Sequence, residues 1–302
     1  MVKRNDQCWC GSERLYRHCH FDIDEAADET KYKASQAVYS RNWALTSKHH
    51  YENGYYHRLA EQLLPHSPKR ILDIGCGSGH GLMALMEVLG EKIQIVALDE
   101  NSSCLDQSAN NLRSIDVHPT VLKRIDTSLI EGSFVSQTTP LEKLPNEPCV
   151  LIQSDICDDP TMLTALINSG QFDAITIWLT GVHMLRQNNI LVKSADITSD
   201  AEHRLYVQNN AYEWADLLLQ SSGILQVADR RVAPTDQIYI DDIRNSHTEQ
   251  AEPTTLTVID VTYQIYEEPK KSGTPMILTL GTSGIIPNSN QLSIVSVISK
   301  KS

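Results

Sequence analysis

Residues 69–81 read KRILDIGCGSGHG and decide the fold class of this 302-residue chain. The stretch begins with an apolar run typical of a buried parallel strand, and Gly75, Gly77 and Gly79 then form a turn. Apolar residues beyond the turn recur at helical spacing. Because a strand, a glycine turn and a helix bring backbone N–H groups against a ligand, the stretch predicts an α/β fold with a small cofactor.

The spacing of the glycines separates the cofactor classes. A dinucleotide fingerprint needs G-x-G-x-x-G, but His80 stands at the sixth position from Gly75. A Walker loop is excluded because no Gly-Lys-Ser/Thr follows. The run has D-x-G-x-G-x-G in register at Asp73, Gly75, Gly77 and Gly79. In this it resembles the class I S-adenosylmethionine-dependent methyltransferases.

The resemblance implies a Rossmann-like, seven-stranded α/β sheet with helices on both faces, and S-adenosylmethionine as cofactor. The implied cofactor-binding residues are Asp73, Gly75, Cys76, Gly77, Gly79, Asp99, Glu100, Asp155 and Ile156. Asp99 ends a second predicted strand, where a carboxylate can accept both ribose hydroxyls. Asp155 ends a third strand; in the family this position accepts the adenine amine, and the next residue, Ile156, packs on the ring. For Cys76, packing is favoured over a nucleophilic role.

The spacing of the two strand-end carboxylates departs from the family. Asp99 and Asp155 lie 56 residues apart, more than one helix and one strand need. Residues 116–147 therefore look like an insertion, β-rich in its first half and a proline-containing loop in its second. It would form a substrate wall or a dimer contact. The alternative is that the third strand is misplaced and Asp126 contacts the adenine.

The remaining strands are predicted from apolar runs. Residues 172–179 form the fourth strand and residues 223–229 the fifth, and residues 255–267 and 275–281 supply an antiparallel hairpin. For the apolar tail beyond residue 284, an added strand and an interface remain open alternatives. The predicted methyltransferase domain spans residues 66–302.

A second motif stands at the N-terminus. Cys8, Cys10, Cys19 and His20 form the pattern C-x-C-x8-C-H, a complete tetrahedral set for a structural zinc ion. So short a segment cannot bury a core, and the metal would supply its folding free energy. The run resembles the SEC-C motif, which places the fourth ligand directly after the third cysteine; His18 is the alternative ligand. The resemblance implies docking to a protein or the ribosome.

The segment between the two motifs is predicted to be helical. Residues 1–22 would form the zinc knuckle, and residues 23–65 a helical linker or lid. Tyr39 and Trp43 belong to an aromatic group in this lid, for which surface and core roles are favoured over lining an acceptor site.

Charge restricts the partners. The formal net charge is −12. Residues 1–65 balance nine basic against nine acidic side chains, so residues 66–302 hold the whole excess, 17 basic against 29 acidic. Nucleic acid is therefore a poor candidate partner. No apolar run approaches the ~18 residues of a membrane helix, and the N-terminus lacks a secretory apolar core. We expect no membrane partner and a cytoplasmic location.

The acceptor should be reflected at the end of the fourth strand. Residues 178–181 read WLTG, not the Asn/Asp-Pro-Pro-aromatic tetrad of enzymes that methylate base amines, and this edge has no Pro-Cys nucleophile. His183 is the nearest titratable residue and the candidate general base, with a packing role as the alternative. The favoured function is methyl transfer to a small-molecule or protein acceptor. The alternatives are a non-catalytic binding or docking module and a nicotinamide-dependent oxidoreductase.

Overall fold

The computed structural model describes residues 2–9, 14–90, 92–269, 274 and 289–302. The strands in these ranges are β1 Arg70–Ile74, β2 Gln94–Asp99, β3 Thr120–Leu122, β4 Ile125–Ile130, β5 Ser133–Thr138, β6 Cys149–Gln153, β7 Phe172–Trp178, β8 Leu219–Val232, β9 Leu256–Ile265 and β10 Leu292–Lys301. The α-helices are α1 Phe21–Asp24, α2 Lys31–Glu52, α3 Tyr55–Glu61, α4 His80–Leu89, α5 Ser102–Arg113, α6 Pro160–Asn168, α7 Ile190–Ser194, α8 Asp200–Leu218 and α9 Gln237–Ala251. Single 3-10 turns lie at Tyr16–His18, Asp28–Thr30, Leu64–His66 and Met184–Asn188.

The central sheet has the strand order β3-β6-β2-β1-β7-β8-β10-β9 over the described residues. The first six strands of this order run parallel, and β10 runs antiparallel to both β8 and β9. Strands β2, β6 and β3 lie on one side of β1, and β7, β8, β10 and β9 lie on the other. The direction in which the chain adds strands to the sheet therefore reverses between β1 and β7. Ligands of open α/β sheets bind at such a reversal. The predicted Rossmann-like α/β class is confirmed, with β3 as a strand beyond the expected seven.

Both faces of the sheet are covered, which explains the nearly continuous apolar strands. Successive residues of a strand point to opposite faces, so Ile71 and Leu72 of β1 enter two different core clusters. On one face the core includes Leu59, Leu82 and Leu105 from α3, α4 and α5. On the other face it includes Met162, Tyr212 and Trp214 from α6 and α8. The parallel strands are thus held between two helical layers, and their carboxyl ends meet along one edge.

The antiparallel end of the sheet differs from the expectation. The prediction for residues 255–267 agrees with β9, but residues 275–281 lie outside the described ranges. The partner of both β8 and β9 is β10, which the C-terminal tail forms. Of the two alternatives for that tail, the added strand is therefore correct.

The predicted insertion adds a small structure at the opposite edge. Its strand β3 pairs with β6, and β4 and β5 form a separate antiparallel hairpin. Residues 139–148 contain no strand, as the proline-containing sequence suggested. Gln153 at the end of β6 joins the insertion to the sheet edge, since its Oε1 accepts from the backbone N–H groups of Arg124 and Ile125.

The helical segment before the sheet folds back onto it. Tyr55, Leu59 and Leu63 recur at every fourth position and are buried, and Tyr51, one step earlier, is partly buried. Helix α2 contacts α3, α4 and α5 and so covers the carboxyl edge of the strands. Within the described ranges, none of the helices has both the length and the apolar character needed to cross a bilayer.

Candidate active site

The glycine turn after β1 is tied to the end of β2. The backbone N–H of Gly75 donates to the Leu98 carbonyl at 2.8 Å, and that of Gly77 donates to Asp99 Oδ2 at 2.8 Å. Gly77 has a φ of 55°, in the left-handed region that favours glycine. Gly79 serves helix packing, because a Cβ built on it would lie 2.4 Å from Ser108 Oγ of α5. The turn therefore presents its backbone beside the Asp99 carboxylate.

A cleft opens where β1, β2, β6 and β7 end, with about 710 Å³ of empty space when its open mouth is included. Of the predicted cofactor-binding residues, those that line it are Gly75, Gly77, Asp99, Glu100, Asp155 and Ile156. Asp73 lies behind the cleft, where its Oδ1 accepts from the Thr176 hydroxyl at 2.5 Å. Cys76 packs in the core, as the sequence favoured. The structure thus brings most of the predicted set to one surface and leaves Asp73, Cys76 and Gly79 as its support.

Burial gives the carboxyls of the cleft unusual acidities. It raises the pKa of Asp99 to about 7, although backbone N–H groups of Asn101 and Gly77 oppose the rise. It also raises the pKa of the adjacent Glu100 to about 7, with Arg186 opposing and Asp155 adding to the rise. A ligand that brings hydroxyl or cationic groups would stabilise the ionised forms of these carboxyls. The ribose hydroxyls and the sulfonium of S-adenosylmethionine meet that requirement.

Asp155 accepts two hydrogen bonds at the edge of the cleft. Its Oδ1 accepts from the Cys157 backbone N–H at 3.1 Å, and its Oδ2 accepts from Arg186 Nη2 at 2.5 Å. The alternative residue for adenine, Asp126, lies on β4 with a fully solvated side chain, and its nearest cation is Lys33 at 4.0 Å. The geometry favours Asp155 over Asp126, because the Asp126 carboxylate lies on the inserted hairpin and not on the cleft.

His183 lies next to the cleft wall but is completely buried. Its Nδ1 is 3.0 Å from Ser35 Oγ, and its Nε2 is 3.6 Å from Glu100 Oε1. The Tyr32 ring packs edge-on against it at 4.5 Å. Burial lowers the pKa of His183 well below its usual value. Because the imidazole has no face on the cleft, the geometry favours the packing alternative over proton abstraction.

Two aromatic side chains of α2 reach across the cleft to glycines. A Cβ on Gly77 would lie 2.6 Å from Trp43 Nε1, and a Cβ on Gly181 would lie 2.2 Å from Tyr39 Oη. Both aromatic residues line the cleft. Burial raises the pKa of Tyr39 well above its usual value, so this hydroxyl stays protonated. The lid helix thus forms the wall of the cleft that faces the glycine turn.

The N-terminal segment brings three of its four predicted zinc ligands together. One ligand atom each from Cys8, Cys19 and His20 lies within 4.8 Å of the others, and all three residues are buried. Both sulfur atoms approach His20 Nδ1, at 3.0 and 3.2 Å. Cys10 lies outside the described residues. The alternative ligand His18 is exposed and accepts from Arg17 Nε instead. Two thiols and an imidazole at this separation fit a zinc ion.

Comparison with known families gives two matches along the chain. Residues 4–22 match the SEC-C motif, and residues 26–133 match the family described as protein-L-isoaspartate(D-aspartate) O-methyltransferase. The chain thus matches a SEC-C motif and, over 108 of its 302 residues, a methyltransferase family. Both resemblances inferred from the sequence are thereby confirmed. A curated relative, protein-L-isoaspartate O-methyltransferase 1 of Marinobacter nauticus, is 26% identical over 107 residues. That match covers 35% of this chain and 45% of the relative, less than half of its length.

Solved structures match most of the chain at low identity and low structural similarity. TrmN from Thermus thermophilus is 12% identical, with a TM-score of 0.44 over 81% of this chain and 48% of its own. The N-methyltransferase NodS from Bradyrhizobium japonicum, in complex with S-adenosyl-L-homocysteine, is 11% identical, with a TM-score of 0.41 over 83% and 87%. An O-methyltransferase from Bacillus cereus is 13% identical, with a TM-score of 0.42 over 82% and 80%. All three scores lie below 0.5, so the fold assignment depends on the sheet order of the chain itself.

Within the methyltransferase region, sequence reasoning missed two titratable side chains that line the cleft. Arg186 and His203 lie on it, and Arg186 Nε donates to His203 Nε2 at 3.2 Å. Arg186 belongs to a single 3-10 turn without periodicity, and no motif surrounds it. Its contact with Asp155 joins residues 31 positions apart, which no local pattern in the sequence reveals.

Proposed function

We propose that the protein is an S-adenosylmethionine-dependent methyltransferase that binds its methyl donor in the cleft between β1, β2 and β6. One observation carries the proposal: the glycine turn, Asp99 and Asp155 meet on one surface at the reversal of strand order. Asp99 would accept the ribose hydroxyls and Asp155 the adenine amine, with Ile156 against the ring. Gly75 and Gly77 would bring their backbone close to the donor.

Catalysis of methyl transfer mainly requires that the acceptor be positioned against the methyl group of the donor. When bound, S-adenosylmethionine supplies an electrophilic methyl group on a sulfonium. The chain must align an acceptor with that group, exclude water, and take up a proton where the acceptor carries one. Tyr39 and Trp43 of the lid lie over the cleft and would exclude water from it. The ionised forms of Asp99 and Glu100 would complement the positive charge of the donor.

For the acceptor we propose a protein or small-molecule carboxylate as the first class to test. The matched family and the curated relative are described as acting on L-isoaspartate in proteins. A carboxylate is already ionised near neutral pH, so its methylation requires no general base. This agrees with a buried His183 that has no face on the cleft. An acceptor hydroxyl or ammonium group would need a proton acceptor, and Glu100 would be the nearest candidate.

The proposal is tested by binding and transfer in sequence. Calorimetric titration of S-adenosylmethionine and S-adenosylhomocysteine into the full chain should give saturable binding, and NAD should give none. Asp99→Asn should weaken donor binding about tenfold or more, because a charged acceptor of hydrogen bonds is lost. The protein is then incubated with S-adenosylmethionine carrying a labelled methyl group and with either an L-isoaspartyl peptide or the same peptide containing aspartate. Binding without transfer to any carboxylate would favour the binding-module alternative; absence of donor binding would contradict the proposed function.

For the rest of the chain we propose three functional parts. Residues 1–22 would hold zinc through Cys8, Cys10, Cys19 and His20, residues 23–65 would form the lid, and residues 66–302 the methyltransferase domain. The knuckle presents Trp9 with 60% of its surface exposed, which supports docking to a protein or to the ribosome. A cytoplasmic location is supported by the absence of disulfides among the four cysteines of residues 66–302.

A further inference from the structure

Arg186 is a cation buried in the wall of the cleft, with only 2% of its surface exposed. Three side chains hold it, one from the loop after β6, one from α8 and one from α2. Nη2 donates to Asp155 Oδ2 at 2.5 Å, Nε to His203 Nε2 of α8 at 3.2 Å, and Nη1 to the Tyr32 hydroxyl of α2 at 3.4 Å. Removing a guanidinium from water is costly unless its partners compensate. So well fixed a position within a binding cleft indicates a role in orienting Asp155.

The Asp155 carboxylate has acidic neighbours. Glu100 and Asp158 both lie close enough to interact with it electrostatically, and Arg186 is the cation that offsets them. The guanidinium pairs directly with the Asp155 carboxylate, which accepts hydrogen bonds and donates none. A carboxylate oxygen accepts more than one hydrogen bond, so the contact with Arg186 leaves acceptor capacity on Asp155. Asp155 and Arg186 both line the cleft, so a ligand bound there can reach this carboxylate.

We propose that Arg186 is a positioning residue for purine recognition. By fixing the orientation of the Asp155 carboxylate, it makes the cleft select a base with an exocyclic amine over a base with an oxo group at the same carbon. An ionised carboxylate accepts from the amine of adenine and repels the oxo oxygen of hypoxanthine. The inference rests on the proposed function, because it requires that the base of the donor lies at Asp155.

A second buried arginine provides the matched control. Arg124 Nη1 donates to Asp159 Oδ2 at 2.6 Å, and the two side chains are as deeply buried as those of Arg186 and Asp155. Neither Arg124 nor Asp159 lines the cleft. Replacing either arginine by glutamine removes one buried ion pair, but only the Arg186 replacement removes it from the donor site.

The test is calorimetric titration of two ligands into four proteins. S-adenosylhomocysteine carries the amine, and S-inosylhomocysteine carries an oxo group in its place. The proteins are the wild type, Arg186→Gln, Arg186→Lys and Arg124→Gln, each first checked for folding by thermal melting. We expect the wild type to prefer the adenosyl ligand about tenfold or more. Arg186→Gln should lose most of this preference through weaker adenosyl binding, and Arg186→Lys should keep part of it. Arg124→Gln should melt at a lower temperature but keep the full preference.

Each result decides between the possibilities. Equal weakening of both ligands in Arg186→Gln would mean a merely structural arginine and would overturn the inference, as would a preference that Arg186→Gln retains. If Arg186→Gln does not fold, the preference of Arg186→Lys decides by the same criterion, and an unreduced value overturns the inference. A wild type that binds both ligands equally would overturn the inference and leave the donor site standing. A wild type that binds neither ligand would refute the proposed function itself.

Discussion

Gly181 lies just beyond β7, and Tyr39 of the lid helix occupies the space that a side chain there would need. A Cβ on Gly181 would lie 2.2 Å from Tyr39 Oη, 3.2 Å from Cζ and 3.5 Å from Cε2. The first distance is far inside an ordinary van der Waals contact of about 3.5 Å. The φ of Gly181 is not in the left-handed region, so its backbone tolerates alanine. Gly181→Ala should therefore displace the phenol without straining the backbone.

The expected magnitude follows from two opposing terms. Overpacking a buried site costs about 1–3 kcal/mol, and the lower chain entropy of unfolded alanine returns about 0.4–1 kcal/mol. We expect Gly181→Ala to lower the free energy of unfolding by about 1–2 kcal/mol. Tyr39→Phe removes the hydroxyl oxygen that would clash with the Cβ at position 181, and the remaining ring carbons lie 3.2 Å or more from that Cβ. The double variant should then be about as stable as Tyr39→Phe alone, a coupling of about 1–2 kcal/mol.

Urea unfolding of the wild type, both single variants and the double variant measures this coupling. Gly81→Ala is the control, because its Cβ would meet the Trp178 ring at 3.3 Å and α4 favours alanine; its stability should stay within about 0.5 kcal/mol of the wild type. Effects of Gly181→Ala and Tyr39→Phe that add without coupling would refute the close approach of the lid to the cleft.

Three further predictions concern other parts of the molecule. Burial lowers the pKa of His50 from 6.5 to about 3, so in this interval the unfolded chain binds a proton that the folded chain does not, and stability falls as the pH falls. Between about pH 7.5 and about pH 5, the free energy of unfolding should fall by about 2 kcal/mol less in His50→Phe than in the wild type, measured by urea unfolding at both values. An unchanged pH dependence would mean that His50 titrates normally. Cys8→Ser should abolish stoichiometric zinc, measured by atomic absorption, while the dissociation constant of S-adenosylhomocysteine stays within about twofold; joint loss would mean that the knuckle is part of the core. Asp155→Asn should shift calorimetric preference toward S-inosylhomocysteine, because an amide can donate to the oxo oxygen; a preserved adenosyl preference would remove Asp155 from base recognition.

The sequence predicts best where a local pattern carries the information. The strand, turn and helix around Gly75 follow from one apolar run and three glycines, and Asp99 follows from the next apolar run. The position of Asp155 is harder to predict, because the sequence does not reveal which later strand lies beside β2. The pairing of β6 with β2 depends on long-range packing, and the insertion between them offers another candidate in Asp126.

The sequence predicts poorly where distant segments meet. Residues 292–301 are apolar enough for either a strand or an interface, and only their pairing with β8 and β9 distinguishes the two. The burial of His183 depends on Tyr32 and Ser35, about 150 positions earlier in the chain. Arg186 acquires its role from contacts with three elements that share no motif with it.

Helix α2 connects the SEC-C motif to the cleft, and its contacts differ in strength at the two sides. Toward the cleft, Gln36 donates to Glu100 Oε2 at 2.9 Å, and its carbonyl accepts from the buried Asn101 side chain. Toward the knuckle, the pair of Arg41 and Asp22 is half exposed, and such pairs contribute at most about 1 kcal/mol. The lid is therefore held mainly by the methyltransferase region. A partner that binds the knuckle would reach the donor site through this weak connection, so we expect docking to determine where the protein acts more than how tightly it holds its donor.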